Sequence, residues 1–286
     1  MKVAVIGANG QLGSDLVAAC KRREWDVVEL THADICVEDP NSVRKILSEV
    51  KPHAVLNTAA SHIVPRCEQD PLQAFSVNGL GALNVARVAD ELGSVVVYYS
   101  TDYVFDGAKG SAYTEEDRPN PLNVYGVTKL AGEYFTLGYA RKAIVARVSG
   151  IYGRVPCRAK GGNFVTTMIK AASEKPEVRV VDDEVLSPTP TWIIAQRSME
   201  LLENDARGLI HLVVRGSCSW YEFARVIFDT LGFTTPLRSC SVSDFPATVR
   251  RPTFSAMESI RLTTLAVEPL PDWREGLVKF LRNEYR

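Results

Sequence analysis

The sequence predicts an α/β fold: a doubly wound parallel sheet carrying a smaller C-terminal lobe. Three observations predict it. Short apolar runs alternate with helically spaced segments from residue 2 to about residue 150. The first run ends directly in a glycine-rich turn. Beyond residue 150 the alternation weakens, and prolines gather at 188, 190, 246, 252, 269 and 271. Strands alternating with helices give a parallel sheet covered on both faces.

The elements follow in order. "KVAVI" (2–6) reads as the first strand. In "QLGSDLVAACKRR", Leu12, Leu16, Val17 and Cys20 share one helical face. "DVVEL" (26–30) is the second strand, and "NSVRKILSEV" (41–50) a helix opened by Pro40. "AVLNTAA" (54–60) is the third strand. Residues 71–93 form one long helix, with Pro71 in its first turn and Gly93 at its end. "VVVYYS" (95–100) is the fourth strand. A further helix begins within "NPLNVYGVTKLAGE" (120–133) and leads to the fifth strand, "AIVARVS" (143–149). Right-handed crossovers predict the order 3-2-1-4-5 for these strands.

Composition narrows the function. The 286 residues carry a formal net charge of -1, so no overall basic field draws nucleic acid or an anionic membrane. No apolar run approaches the length of a membrane span, and the first is too short for a signal-peptide core. The six cysteines form no CxxC pair and read as reduced thiols of a cytoplasmic protein. The four histidines lack metal-ligand spacing, so no metal is expected.

The glycine turn carries the first chemistry. Gly7, Gly10 and Gly13 follow the first strand and open a helix, spaced GxxGxxG. Gly7 permits the tight turn, Gly10 lets a pyrophosphate approach, and Gly13 lets the helix pack on the sheet. The helix N-terminus offers its N–H groups to the phosphates, and Asn9, Gln11 and Leu12 complete this cofactor-binding set. A Rossmann-like NAD(P) domain over 1–150 follows. Residues 151–286 are then mainly a substrate-binding lobe, interleaved with the last strands. The second strand places Thr31 and His32 where an acid usually holds the ribose hydroxyls. Neither repels a 2′-phosphate, so NADPH is expected, with NADH open as the alternative. Asp34 and Ile35 are expected beside the adenine, unless Glu29 or Asp34 is itself the ribose ligand.

Tyr125 stands four residues before Lys129, on one helix face. Such a lysine can favour the phenolate, lower the tyrosine pKa and hold a cofactor ribose. A tyrosine so tuned can protonate a carbonyl oxygen. Spacing alone occurs in many helices. Ser100 and Thr101, at the carboxyl end of the fourth strand, add hydroxyls that can meet the same oxygen.

GxxGxxG, "STDYVFDG" (100–107) and "NPLNVYGVTKLAGE" together resemble the extended short-chain dehydrogenase/reductases, and within them the dTDP-4-dehydrorhamnose reductase family. "RVSGIYG" (147–153), "GGNFVTTMIKAA" (161–172), "SPTPT" (187–191), "SWYEFARVIFD" (219–229) and "RPTFSAM" (251–257) extend the resemblance over nearly the whole chain. It implies a catalytic set of Thr101, Tyr125 and Lys129. It places Asp102, Tyr103, Gly150 and Arg251 toward a nucleotide-linked sugar, and Ala59, Ala60 and Ser61 along the cofactor. It implies NADPH-dependent reduction of a 4-keto-6-deoxysugar, with no nucleic acid, no membrane, and a homodimer open as the assembly. Two other readings fit the same motifs: a cofactor-binding regulatory subunit like the beta subunit of methionine adenosyltransferase, and a nucleotide-sugar epimerase. The chain departs from the family at Ser61 for His or Tyr, Pro65 for Asp, Gly150 for Trp, and Glu184 and Leu186 for Gln and Gly. Leu186 is expected to refill space beside Gly150. The acids of the metal site found in some relatives have no matching set here.

Overall fold

The computed structural model describes every residue except 158, 160, 247, 248, 266–269 and 286. The chain runs β1 (Lys2–Ile6), α1 (Gln11–Arg22), β2 (Asp26–Leu30), α2 (Pro40–Val50) and β3 (Ala54–Asn57). It continues through α3 (Val64–Gln69), α4 (Pro71–Phe75), α5 (Gly81–Glu91), β4 (Val95–Thr101), α6 (Val124–Tyr139) and β5 (Ala143–Val148). The later half holds α7 (Phe164–Glu174), β6 (Val178–Val181), β7 (Val185–Leu186), α8 (Thr191–Glu203), β8 (Gly208–His211), β9 (Cys218–Ser219), α9 (Trp220–Leu231), β10 (Leu237–Cys240) and α10 (Trp273–Glu284).

Six parallel strands form the main sheet in the order β2-β1-β3-β4-β5-β8. The expected order 3-2-1-4-5 is therefore wrong: β3 lies between β1 and β4, and β2 is the edge. The physical reason is the crossover. Residues 31–39 form turns rather than a strand, so α2 carries the chain back across β1 to its other flank. Ile6 pairs with Leu30 on one side and Asn57 on the other, so three carboxyl ends finish level.

Alternation within β1 sorts its side chains between two apolar layers. Val3 and Val5 join a large core with Leu16 of α1, Tyr99 of β4, Ile194 of α8 and Phe223 of α9. Ala4 and Ile6 join a second core with Leu30, Val43 of α2 and Val85 of α5. Small two-stranded pairs, β6 with β10 and β7 with β9, belong to the later half. Among the described residues no helix is long and apolar enough to cross a membrane.

Two expected elements differ in detail. The helix expected over 71–93 contains a π-helical turn at Ser76–Leu80 between α4 and α5. That turn sets the Asn78 side chain between Ser61 and Thr128. The third strand stops at Asn57, because Thr58 turns back to give its hydroxyl to the Ile6 carbonyl at 2.7 Å.

Candidate active site

A cavity of about 660 Å³ opens beyond the carboxyl ends of β1, β3, β4 and β5. Gly7, Asn9, Gly10, Gln11, Leu12, Gly13, Ala59 and Ala60 line one end. Gly7 has φ +79°, and a Cβ there would stand 2.5 Å from the Thr58 hydroxyl oxygen. A Cβ on Gly13 would collide with the Gly7 carbonyl, so α1 can approach the turn only with glycine there. Gly10 caps α1 with no side-chain hydrogen bond, which leaves the first-turn N–H groups for a ligand. Gln11 then links this turn to the later lobe. Its Nε2 donates to the Ile151 carbonyl, and Asn163 Nδ2 donates to its Oε1 at 3.1 Å.

The other end holds Thr101, Asp102, Tyr103, Tyr125 and Lys129. Thr101 ends β4 and accepts the Tyr103 N–H at 3.2 Å, which fixes the bend after the strand. Asn123 caps α6 by accepting the Gly126 N–H, and Glu68 of α3 accepts the Val124 N–H. These caps set Tyr125 in the first turn of α6. Tyr125 meets the Tyr103 ring edge-on at 5.8 Å. Burial pushes the Tyr125 phenol above its usual range, and the Thr101 hydroxyl pulls it partly back. The proton therefore stays on the phenol.

Lys129 is buried, and burial pulls its ammonium down to about 7, with Glu133 opposing the shift. Its Nζ donates to the Tyr99 carbonyl at 2.6 Å and lies 4.0 Å from the Tyr98 ring centroid. Besides burial, the largest influences on the Tyr125 phenol are Thr101, Asp102, Tyr103 and Cys67.

Ser100 lines the cavity too, and its hydroxyl donates to Glu133 Oε1 at 2.5 Å. Glu133 in turn forms a two-pronged ion pair with Arg147 of β5, at 2.8 and 2.7 Å, fully buried. Asp102 lines the cavity, yet its carboxylate accepts from Thr101 at 3.0 Å, Ser149 at 2.8 Å and Ser255 at 2.7 Å. It therefore ties together the end of β4, the residue after β5 and the segment around Ser255. Burial raises its pKa and the three hydroxyls lower it.

Six expected site residues do not line this cavity: Thr31, His32, Asp34, Ile35, Ser61 and Arg251. Ile35 is buried in the second core with Leu30 and Val37. Thr31 and Asp34 share the exposed turn after β2, where Asp34 Oδ2 accepts both the amide and the hydroxyl of Thr31, at 2.8 and 2.7 Å. These bonds hold the Asp34 carboxyl below its usual range. Ser61 faces Asn78 and Cys67. Arg251 is exposed, and its charge reaches the cavity-lining Tyr103 and Glu184.

Gly150, Glu184 and Leu186 line the remaining wall with Phe164 and Trp220, whose rings lie 4.4 Å apart. Burial raises the Glu184 carboxyl, against Arg251 and the Trp220 side chain. Sequence reasoning missed Phe164, Trp220, His62 and Cys157. "GGNF" and "SWYEF" were visible as landmarks, but nothing in their spacing brings them to the glycine turn. All six cysteines are free thiols. Among the described residues no group of three or more His, Cys, Asp or Glu could hold a metal ion.

Comparison with known proteins places this geometry. The family model for the RmlD substrate binding domain matches residues 1–286. The spore coat polysaccharide biosynthesis protein SpsK of Bacillus subtilis is 34% identical, over 98% of this chain and 97% of that one. The dTDP-4-dehydrorhamnose reductase of Escherichia coli is 31% identical, over 98% and 97%. A crystal structure of dTDP-4-dehydrorhamnose reductase from Bacillus anthracis in complex with NADP superposes with a TM-score of 0.94, at 33% identity and 99% coverage of both chains. The chain belongs to the RmlD substrate binding domain family.

Proposed function

We propose that the chain is an NADPH-dependent reductase of a nucleotide-linked 4-keto-6-deoxysugar, converting dTDP-4-dehydrorhamnose to dTDP-L-rhamnose. One observation carries the reading. A single cavity joins an uncapped helix N-terminus, fitted to a pyrophosphate, with a protonated tyrosine beside a threonine hydroxyl. The E. coli relative and the B. anthracis neighbour bear the same reductase name, and the latter's complex with NADP supports the cofactor.

The first-turn N–H groups of α1, beside Gly7, Gly10 and Gly13, would hold the pyrophosphate of NADPH. Bound NADPH supplies the hydride. Thr101 and Tyr125 converge on the substrate carbonyl oxygen, where Thr101 orients it and Tyr125 gives its proton as negative charge develops. Lys129, one turn along α6, holds the ribose hydroxyls. In the free protein the Thr101 hydroxyl donates to Asp102 at 3.0 Å, and it turns from that carboxylate to the substrate oxygen. On this reading residues 1–150 carry the cofactor. Residues 151–286 mainly carry the sugar, with β8 returned to the sheet.

The test is NADPH oxidation by the purified protein against a panel of nucleotide 4-keto sugars. Turnover of dTDP-4-dehydrorhamnose is the expected result. Tight NADPH binding with no turnover of any 4-keto sugar would favour the regulatory-subunit reading instead.

A further inference from the structure

His62 Nε2 lies 3.1 Å from Cys157 Sγ, and His62 Nδ1 lies 3.3 Å from the Ala60 carbonyl oxygen. A carbonyl only accepts, so the ring proton sits on Nδ1 and Nε2 is left as the acceptor. The Cys157 S–H is then the donor. A nucleophile, a base and a group orienting the base thus stand in line. Ala60, His62 and Cys157 all line the cavity. The proposed hydride transfer uses none of this arrangement.

The other cysteines differ. Cys20, Cys67 and Cys218 are buried, and burial pushes each thiol up. Cys36 donates to the Glu38 carboxylate. Burial raises Cys240 as well. Cys157 is the cysteine set against an imidazole acceptor.

We propose that Cys157, with His62 as its base, is a nucleophilic thiol that hydroperoxides oxidise reversibly. The thiol passes its proton to His62 Nε2, and sulfur attacks the terminal peroxide oxygen. The S–O bond forms as the O–O bond breaks. The leaving alkoxide or hydroxide takes the proton from His62. The products are a sulfenic acid on Cys157 and an alcohol or water. Sulfur loses two electrons and the peroxide gains them. The new oxygen stands in the cavity wall, so oxidation lowers turnover. That consequence rests on the reductase reading, whereas the oxidation chemistry does not.

The test uses the full reduced chain, hydrogen peroxide, dimedone trapping and quantitative mass spectrometry of each cysteine. Cys157 is expected to label at least ~10-fold faster than Cys36 or Cys240, a small part of the usual range for base assistance. His62→Ala should slow labelling at 157 by a similar factor, and added imidazole should restore it. Equal labelling of the three thiols, or a rate at 157 indifferent to His62→Ala, overturns the proposal. The ratio of treated to untreated turnover should fall for the wild type, recover with dithiothreitol, and stay constant for Cys157→Ser. Labelling at 157 without loss of turnover overturns the blocking role. An untreated protein that reduces no sugar fails the reductase reading, while the labelling still decides the thiol.

Discussion

Leu186 Cδ1 lies 2.5 Å from the point where a Cβ on Gly150 would stand. The leucine occupies the room that a side chain at position 150 would need. Gly150→Trp should therefore clash with Leu186 and lower kcat/KM for the sugar. Gly150→Trp with Leu186→Gly should recover part of the loss, a non-additive pair as expected of touching residues. Recovery stays partial because Gly150 has φ +50° and Pro188 Cα would lie 3.1 Å from the new Cβ. A residue other than glycine in that region costs roughly 1–2 kcal/mol. A double-mutant cycle on kcat/KM decides: additive losses would show that the two side chains do not compete for this space.

Tyr125→Phe keeps the ring against Tyr103 and removes the proton. Turnover should fall ~10²–10⁴-fold, with NADPH affinity nearly unchanged. Lys129→Met should lower both. Because the Lys129 ammonium is pulled down to about 7, it loses its proton as pH rises through that value. Wild-type NADPH affinity should weaken above neutrality, and the Lys129→Met profile should be flat. Titrations of NADPH fluorescence from pH 6 to 9 give the comparison; parallel wild-type and variant profiles would remove the ribose role.

The buried pair of Glu133 and Arg147 ties α6 to β5 directly behind Lys129. Glu133→Ala leaves Arg147 buried without its counter-charge and Ser100 without its acceptor. Stability should drop by about 3–5 kcal/mol. Urea unfolding measures this, and Glu133→Leu with Arg147→Met should lose less than the single change. An equal or greater loss in the double variant would mean that packing, not charge, dominates.

Much of the site was legible because it rests on local pattern. Glycines at 7, 10 and 13 after a strand dictate a turn and a helix start, and Tyr125 and Lys129 share a face whatever the tertiary context. The strand order was not legible, because the choice of flank for β3 depends on whether residues 31–39 form a strand. The hydrogen-bond partners of Ser100, Asp102 and Ser61 were not legible for a related reason. A hydroxyl or carboxylate at a strand end looks free in sequence. Its partners here, Glu133, Ser255 and Asn78, lie 33, 153 and 17 residues away. Trp220 reaches the cavity from the first turn of α9, directly after β9.

His211 is buried on β8 against Arg147, Glu115, Phe105 and the carbonyls of Tyr113 and Glu258. Burial lowers its pKa to about 4, so the folded chain keeps the ring neutral. The unfolded chain takes up a proton near the ordinary value of 6.5, the folded chain only near 4. Stability from this group is complete above about pH 6.5 and is lost progressively as pH falls toward 4. His211→Gln should flatten that part of the profile. Melting temperatures between pH 7.5 and 4.5 test it, and an unchanged slope in the variant would assign the acid sensitivity to other groups.

Cofactor choice should turn on the exposed loop after β2. Asp34 already places one carboxylate against the Thr31 amide and hydroxyl. A 2′-phosphate bound near Thr31 would feel that charge, so the wild type should tolerate NADPH rather than select it strongly. Thr31→Asp adds a second carboxylate and removes the hydroxyl that could donate to the phosphate. Repulsion between like charges a few ångströms apart should move the ratio of kcat/KM for NADPH over NADH down by roughly 5-fold or more. Asp34→Asn removes the first charge and should move the ratio the other way. It should act mainly through KM for NADPH, and less so at high salt because the site is exposed. Opposite shifts from the two variants, both shrinking with ionic strength, identify an electrostatic origin. Shifts in the same direction would mean that both changes merely disturb the turn, and that the phosphate is held by a different segment.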